Sequence, residues 1–341
     1  MPPDGGGARL RASMKCPRIS LVLALALAAG PAAAGAPAAG ALHSQVGDAA
    51  HWTALRWPAG AAAEFGGAPA YRGEDRDLIL LRYSYYVSDY DVDRLGPLWV
   101  AHVDGPDAER KDRGRKGADF ARPSAFVPDP NVVAFSRALH RRYVTDASYE
   151  NANPPELPPD AKGYDKITRG HNAANQEMKA EGDLIAGEQS QRESFSLANV
   201  SPQMQHHNAP IWAKLEDDCL VWAEKLGGVA VITGPVFAPD PAQPPPVNRV
   251  LATDGRDGVR IPIPTHFFKV IIGRIGGAPA VIGFLVPHRA DLSPGDLPRF
   301  AVPIRRIEQV TQLDFMPALG ANDALETRVD ARWLALLGPA R

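Results

Sequence analysis

The chain has 341 residues, 45% hydrophobic and 22% charged, with 37 Lys and Arg against 39 Asp and Glu for a formal net charge of −2. These proportions suit a globular protein with a large core, and they exclude a disordered tail or a polycationic coat for nucleic acid. The 33 prolines and 31 glycines call for long irregular connections.

At the N-terminus, Arg9, Arg11, Lys15 and Arg18 precede an apolar run over 19–29 and an Ala/Gly/Pro-rich stretch with several small-x-small cleavage options. That layout predicts a signal peptide and leader over 1–41, too short for a membrane span, and hence a secreted or periplasmic protein with no membrane contact. Removing it leaves Cys219 as the single cysteine, so no disulfide framework forms. The runs 78–87 (LILLRYSYYV) and 98–102 (LWVAH) are rich in strand formers. Turn chemistry between them, at Asp89-Tyr90-Asp91 and Gly96-Pro97, predicts a hairpin.

Residues 104–166 are polar and proline-punctuated, with basic residues at Arg110, Lys111, Arg113, Arg115 and Lys116. A short strand is expected over 195–200. From near Asn208, the residues Ile211, Leu215, Cys219, Trp222 and Leu226 repeat as one helical stripe that Gly227-Gly228 ends. Strands are expected at 229–233, 267–272 and 279–286, and helices at 304–312 and 323–337. No internal repeat divides the chain, so the reading is one α+β domain over 42–341 with its core at about 75–320.

Two segments carry the chemistry. Thr168-Arg169-Gly170-His171 closes a turn-rich stretch, and Asn199-Val200-Ser201-Pro202-Gln203 runs toward Asn208, Trp212 and Glu216, spaced four apart on the helix. A neutral imidazole is the usual general base near neutral pH. An Asn carbonyl binds a hard divalent cation, a Glu two turns on can hold that cation's waters, and arginines match phosphate geometry. Together they suit hydrolysis of a phosphodiester.

These motifs resemble the DNA/RNA non-specific endonuclease family, of the secreted bacterial sugar-non-specific nuclease and mitochondrial endonuclease G type. The similarity extends through PLWVAH at 97–102, VITGPVF at 231–237, IPTHFFKV at 263–270 and IEQVTQLDF at 307–315, in the family's order. The resemblance implies a ββα-metal (His-metal finger) fold with a central antiparallel sheet flanked by helices. It implies DNA and RNA as substrates, His171 as general base, Asn208 as the protein ligand of Mg²⁺ (substitution by Mn²⁺ left open), and Glu216 as the holder of that ion's waters. Arg169 would contact phosphate or stabilise the transition state. Arg115 is the upstream phosphate-binding candidate, with Arg113 and Lys116 beside it. A homodimer and a proteinaceous inhibitor are left open as partners. The sequence departs from the family at Thr168, where the motif has aspartate; Asp165 is the nearest substitute. Pro210 enters early in the helix, and an insertion is expected around 180–192.

Plainer roles compete at each position. His171 could be a turn histidine, Asn208 a helix N-cap, and Glu216 a solvated carboxylate. Trp212 and Cys219 read as core, His266 as a buried hydrogen-bonded histidine, and Asp217-Asp218 as solvent-facing. Adjacent His206 and His207 point apart on a helix, against a zinc site. Two other functions stay open: a catalytically weak nuclease-like protein that binds nucleic acid, and a hydrolase of another phosphodiester.

Overall fold

Alternation of apolar residues along the strand-forming runs builds an eight-stranded antiparallel sheet. Our structure is a computed structural model that describes residues 44–47, 67–107, 122–150, 166–180, 184–237, 251–319 and 323–337, all within the compact unit Gly40–Arg341. The sheet opens with β1 (Gln45–Val46), and β2 (Ala70–Tyr71) belongs to a separate two-stranded pair. Then come β3 (Leu78–Arg82), β4 (Tyr86–Asp91) and β5 (Gly96–Asp104). The run 78–87 is therefore two strands, turned where Tyr83 N donates to Tyr86 O and Ser84 N to the Glu193 carboxylate. The expected turn at Asp89-Tyr90-Asp91 is strand, because that turn already lies upstream.

The stretch read as irregular holds α1 (Pro130–Ala138). Asp129 caps it by accepting from Asn131 N and Val132 N, and Pro130 occupies the first turn, where its missing N–H costs nothing. Next come β6 (Ile167–His171), α2 (Asn175–Ala180), α3 (Leu184–Ser194) in the expected insertion, and β7 (Val200–Met204). The expected strand at 195–200 is instead a 3-10 turn, Leu197–Asn199, before β7.

The long helix starts at Gln205, earlier than expected, and widens into a π turn at Asn208–Trp212 before continuing as α4 (Ala213–Leu226). Pro210 explains the widening: it has no N–H for the α-helical bond, and the extra residue absorbs the gap. Gly227 ends the helix at φ 81°, a left-handed position that favours glycine.

The remaining sheet strands are β8 (Val229–Val236), β11 (His266–Ile275), β12 (Ala278–Pro287) and β13 (Ala301–Val302), with a small pair, β9 (Leu251–Ala252) and β10 (Pro262–Ile263), between them in sequence. The order across the sheet is β1-β3-β4-β5-β8-β11-β12-β13, so short strands end both edges. On one face, Trp99, Ile232 and Val270 pack with Ile304 and Ile307 of α5 (Ile304–Thr311). On the other, Val231, Ile271 and Ile282 pack with Trp212, Leu215, Cys219 and Trp222 of the long helix. The expected helix at 323–337 is two short ones, α6 (Ala324–Thr327) and α7 (Ala331–Leu334), the second started by Asp330 accepting from Arg332 N. No helix among the described residues is long and apolar enough to cross a membrane.

Candidate active site

The β6–β7 hairpin followed by the long helix forms a ββα unit on the sheet. Register pairs Thr168 with Gln203, Arg169 with Pro202, Gly170 with Ser201, and His171 with Val200. The two sequence motifs are thus one structural object. A Cβ on Gly170 would fall 2.1 Å from Gln203 Oε1, so the glycine makes room for the Gln203 side chain lying across it. Gln203 Nε2 in turn sits 3.0 Å from His207 Nδ1. Thr168, in the place of the motif aspartate, donates its hydroxyl to the Gln203 carbonyl at 2.9 Å and ties the hairpin directly. Asp165 lies outside the described residues.

His171 ends β6 with its Nε2 buried and without a hydrogen-bond partner. Its ring packs between Phe126 and Phe195, with centroids 5.2 and 5.0 Å away. Burial, and then the Arg122 guanidinium, pull its pKa down to about 3, so the imidazole is neutral across the physiological range. Backbone bonds pin the chain just beyond it. Asn199 Oδ1 accepts from Ala173 N at 2.8 Å, and Asn199 Nδ2 donates to Ala173 O and Ser194 O, both at 2.9 Å. Asn172 N and Nδ2 donate to Asn199 O. Sequence reading placed Asn199 in a motif without a task; here it fixes the exit of the histidine strand.

Arg169 is held by Asp146, with Nε 2.6 Å from Oδ1 and a further guanidinium N donating to Asp146 O at 2.9 Å. It lies near the Phe126 and Tyr149 rings. Arg122, stacked over Phe195 at 5.2 Å, is the arginine whose charge acts on His171. Sequence reading missed it, because it lies beyond the Arg110–Lys116 cluster among prolines. Arg113, Arg115 and Lys116 lie outside the described residues.

On the helix, Trp212 and Glu216 are buried at 1% and 6% exposure, whereas Asn208 is half-buried. Asn208 is not an N-cap, because the helix begins three residues earlier and Met204 holds that position. Glu216 is not solvated either. Gln176 Nε2 donates to Glu216 Oε2 at 2.8 Å, and burial raises the carboxyl to about 8 against the lowering influence of Lys269. Asp218, expected in solvent, is buried and paired with Lys214, and His266 is half-buried. Trp212 and Cys219 are core, as expected.

Beneath Trp212 lies a buried charge cluster. His102 Nε2 is 3.0 Å from Glu177 Oε2 and 3.7 Å from Asp104 Oδ1, and Lys269 Nζ is 3.9 Å from Glu177 Oε1. His102, Asp104 and Glu177 each offer a metal-ligating atom within 4.8 Å of the others. The same carboxylates already face two cations: Glu177 and Asp104 raise His102 to about 10, and Lys269 and His102 hold Glu177 down at about 2. Glu308, Asp314 and Glu326 form a second such group, and on the long helix Asn208 and Glu216 are oxygen donors of the type a hard divalent cation takes.

A family model described as DNA/RNA non-specific endonuclease matches residues 68–322. Human mitochondrial endonuclease G is 30% identical over 246 residues, covering 70% of this chain and 69% of its own length. Mitochondrial nuclease 1 of Schizosaccharomyces pombe is 27% identical over 239 residues, covering 68% of this chain and 64% of its own. The chain thus spans about two thirds of the curated relatives it matches. A solved structure titled as an EndoG/EndoGI complex, on the mechanism of EndoG inhibition, aligns with TM-score 0.49 and 23% identity over 71% of this chain and 86% of that one. These relatives overturn one expectation: both nucleases are named as mitochondrial, against the secreted or periplasmic location read from residues 1–41, which themselves lie outside the described residues. With the family model spanning the sheet, the hairpin and the helix alike, the chain belongs to the DNA/RNA non-specific endonuclease family.

Proposed function

We propose that this protein is a metal-dependent endonuclease that hydrolyses DNA and RNA phosphodiesters with little sequence preference, working as a single domain over 42–341. The observation that carries the reading is the state of His171: a neutral imidazole with an unpaired Nε2, beside Arg122, at the end of a strand whose exit is pinned by Asn199. His171 takes the proton from an attacking water, a role that needs a free acceptor nitrogen. Arg122 and Arg169 lie near it as guanidinium donors for phosphate oxygens, and Arg113, Arg115 and Lys116 add positive charge in the same chain segment. Asp146 holds the Arg169 fork in place.

Asn208 holds Mg²⁺ or Mn²⁺ through its carbonyl oxygen, and Glu216, further along the same helix, orients waters. Such an ion, when bound, supplies positive charge against the phosphoryl and leaving oxygens. Substrate binding that rests on phosphates weakens steeply with salt.

Supercoiled plasmid and total RNA incubated with the protein, with and without chelator, test the reading. Degradation of both in Mg²⁺, abolished by chelator and by His171→Ala, is expected. Binding without cleavage would instead make the protein a nuclease-like binder, and cleavage of small phosphodiesters alone would change the substrate.

A further inference from the structure

A cleft of about 100 Å³ opens at one end of the sheet, between β2, the turn from β4 into β5, the end of β8 and the last turn of α5. Its described lining includes no residue of the β6–β7 hairpin or the long helix. Arg76 and Arg94 both enter its wall around one carboxylate, Asp91, which is buried. Asp91 is already committed. Its Oδ2 accepts from Arg76 at 2.6 Å, and its Oδ1 accepts from Asp93 N and Arg94 N, both at 3.0 Å. Arg94 Nε approaches Oδ2 only to 3.9 Å, beyond hydrogen-bond distance. The Arg94 guanidinium lies over the Phe237 ring instead, 4.5 Å from its centroid.

Two guanidiniums thus share one carboxylate in a concave, partly apolar setting, where net positive charge acts strongly on an anion. Burial, and then Arg76, draw the Arg94 pKa below the usual guanidinium value. Asp89 does little to restore the balance: burial, and then Asp91, lift its carboxyl to about 7, and it is hydrogen-bonded to the Trp99 side chain. The second guanidinium is held in place, since Tyr71 Oη accepts from Arg76 Nε at 2.7 Å and donates to Gln312 Oε1 at 3.2 Å. Leu95 (φ 59°), directly after Arg94, and Gln312 (φ 61°) are two of the three non-glycine residues with left-handed backbone among the described residues. Gln312 ends α5, an ordinary place for that conformation, but Leu95 ends no helix. A leucine held there is costly and persists only where its surroundings enforce it.

We propose that this cleft is a second anion site, apart from the ββα unit, that takes the phosphate group of a phosphate ester. The forks of Arg94 and Arg76 match its oxygens, and Leu98, Pro97 and Pro235 meet its ester side. That ester has two sources, the backbone of a nucleic-acid strand and a free nucleotide. The site does not depend on the roles given to His171, Asn208 and Glu216.

The test uses the full chain in chelator, so that no strand is cut. Wild type, Arg94→Gln and Arg94→Lys are titrated with a single strand of about twelve nucleotides, with 2′-deoxyadenosine 5′-monophosphate, and with deoxyadenosine and sodium acetate as controls. Calorimetry reads affinity, and ¹⁵N NMR of the Arg94 Nε–H and the Thr311 amide reads the place. Saturable shifts of both signals are expected with a phosphate ligand and with neither control. Arg94→Gln should abolish the Thr311 shift and weaken binding about fivefold or more, and Arg94→Lys should recover only part, because lysine lacks the fork. A strand as the source also lowers the slope of log K against log salt by about 0.7 in Arg94→Gln. A nucleotide as the source saturates the cleft without the strand. Absence of a shift with either phosphate ligand at millimolar concentration, or equal shifts with acetate, overturns the inference, and the wild-type titration decides this even where Arg94→Gln does not fold. A protein that binds at the cleft yet cuts neither plasmid nor RNA would sink the nuclease reading and leave this site standing.

Discussion

The two faces of the central sheet are built differently. Toward α5 the sheet packing is mostly apolar, with Trp99, Ile232 and Val270 against Ile304 and Ile307, and half-buried Asp89 beside Trp99 as a polar exception. Toward the long helix, His102, Asp104, Thr233 and Lys269 stand in the same layer as Val231 and Ile271, all at 0% exposure. Strand alternation sends neighbouring residues to opposite faces, so a single strand such as β11 serves both: Phe268 and Val270 for stability, Lys269 for charge. Sheet geometry tolerates this because the buried charges neutralise one another in pairs. The face bearing the ββα unit thus places a histidine, a carboxylate and an ammonium together in one buried strand layer.

That contrast can be broken by substitution. The largest effect is expected for His171→Ala, which should lower plasmid cleavage by about 10²–10⁴-fold while circular dichroism reports an unchanged fold. Substantial residual activity would remove the imidazole from its role. Next comes Asn208→Ala: half-maximal cleavage should require roughly 10–100-fold more Mg²⁺, read from a metal titration at fixed substrate. An unchanged titration curve would detach the ion from the helix.

Gly170→Ala drives a methyl group into the Gln203 side chain and should cost about 1–3 kcal/mol of stability, measured by denaturant unfolding, together with a several-fold loss of kcat. A neutral result would mean that Gln203 swings aside freely. On the opposite face, Ile307→Ala should cost about 2–5 kcal/mol and leave kcat of the folded fraction unchanged. A selective fall in kcat there would erase the distinction between the two faces.

Much of this arrangement is legible in residue order. The stripe Ile211, Leu215, Cys219, Trp222 marks the buried side of the helix because period 3.6 survives from Ile211 onward, and Gly227 ends it as its φ requires. The strands at 229–236, 266–275 and 278–287 follow from runs rich in β-branched and aromatic residues. Three things were not legible. Helix α1 hides in a proline-rich stretch, although Asp129-Pro130 is itself a start signal. Arg122 acts on His171 only through tertiary folding of an irregular segment. Lys269 reads as one polar residue in an apolar strand, and nothing local shows that three carboxylates from other elements converge on it.

The π turn at Asn208–Trp212 has a consequence for how the helix is inherited. One extra residue turns Asn208 by about 100° relative to everything that follows, which is why Asn208 stays half-buried while Trp212 and Glu216, four and eight residues on, are sealed. Its bearing is decoupled from the amphipathic phase of α4: the core-facing stripe can drift or be repacked without steering the carboxamide. Conversely, deleting a single residue between 208 and 212 would leave a regular, well-packed helix whose asparagine points the wrong way.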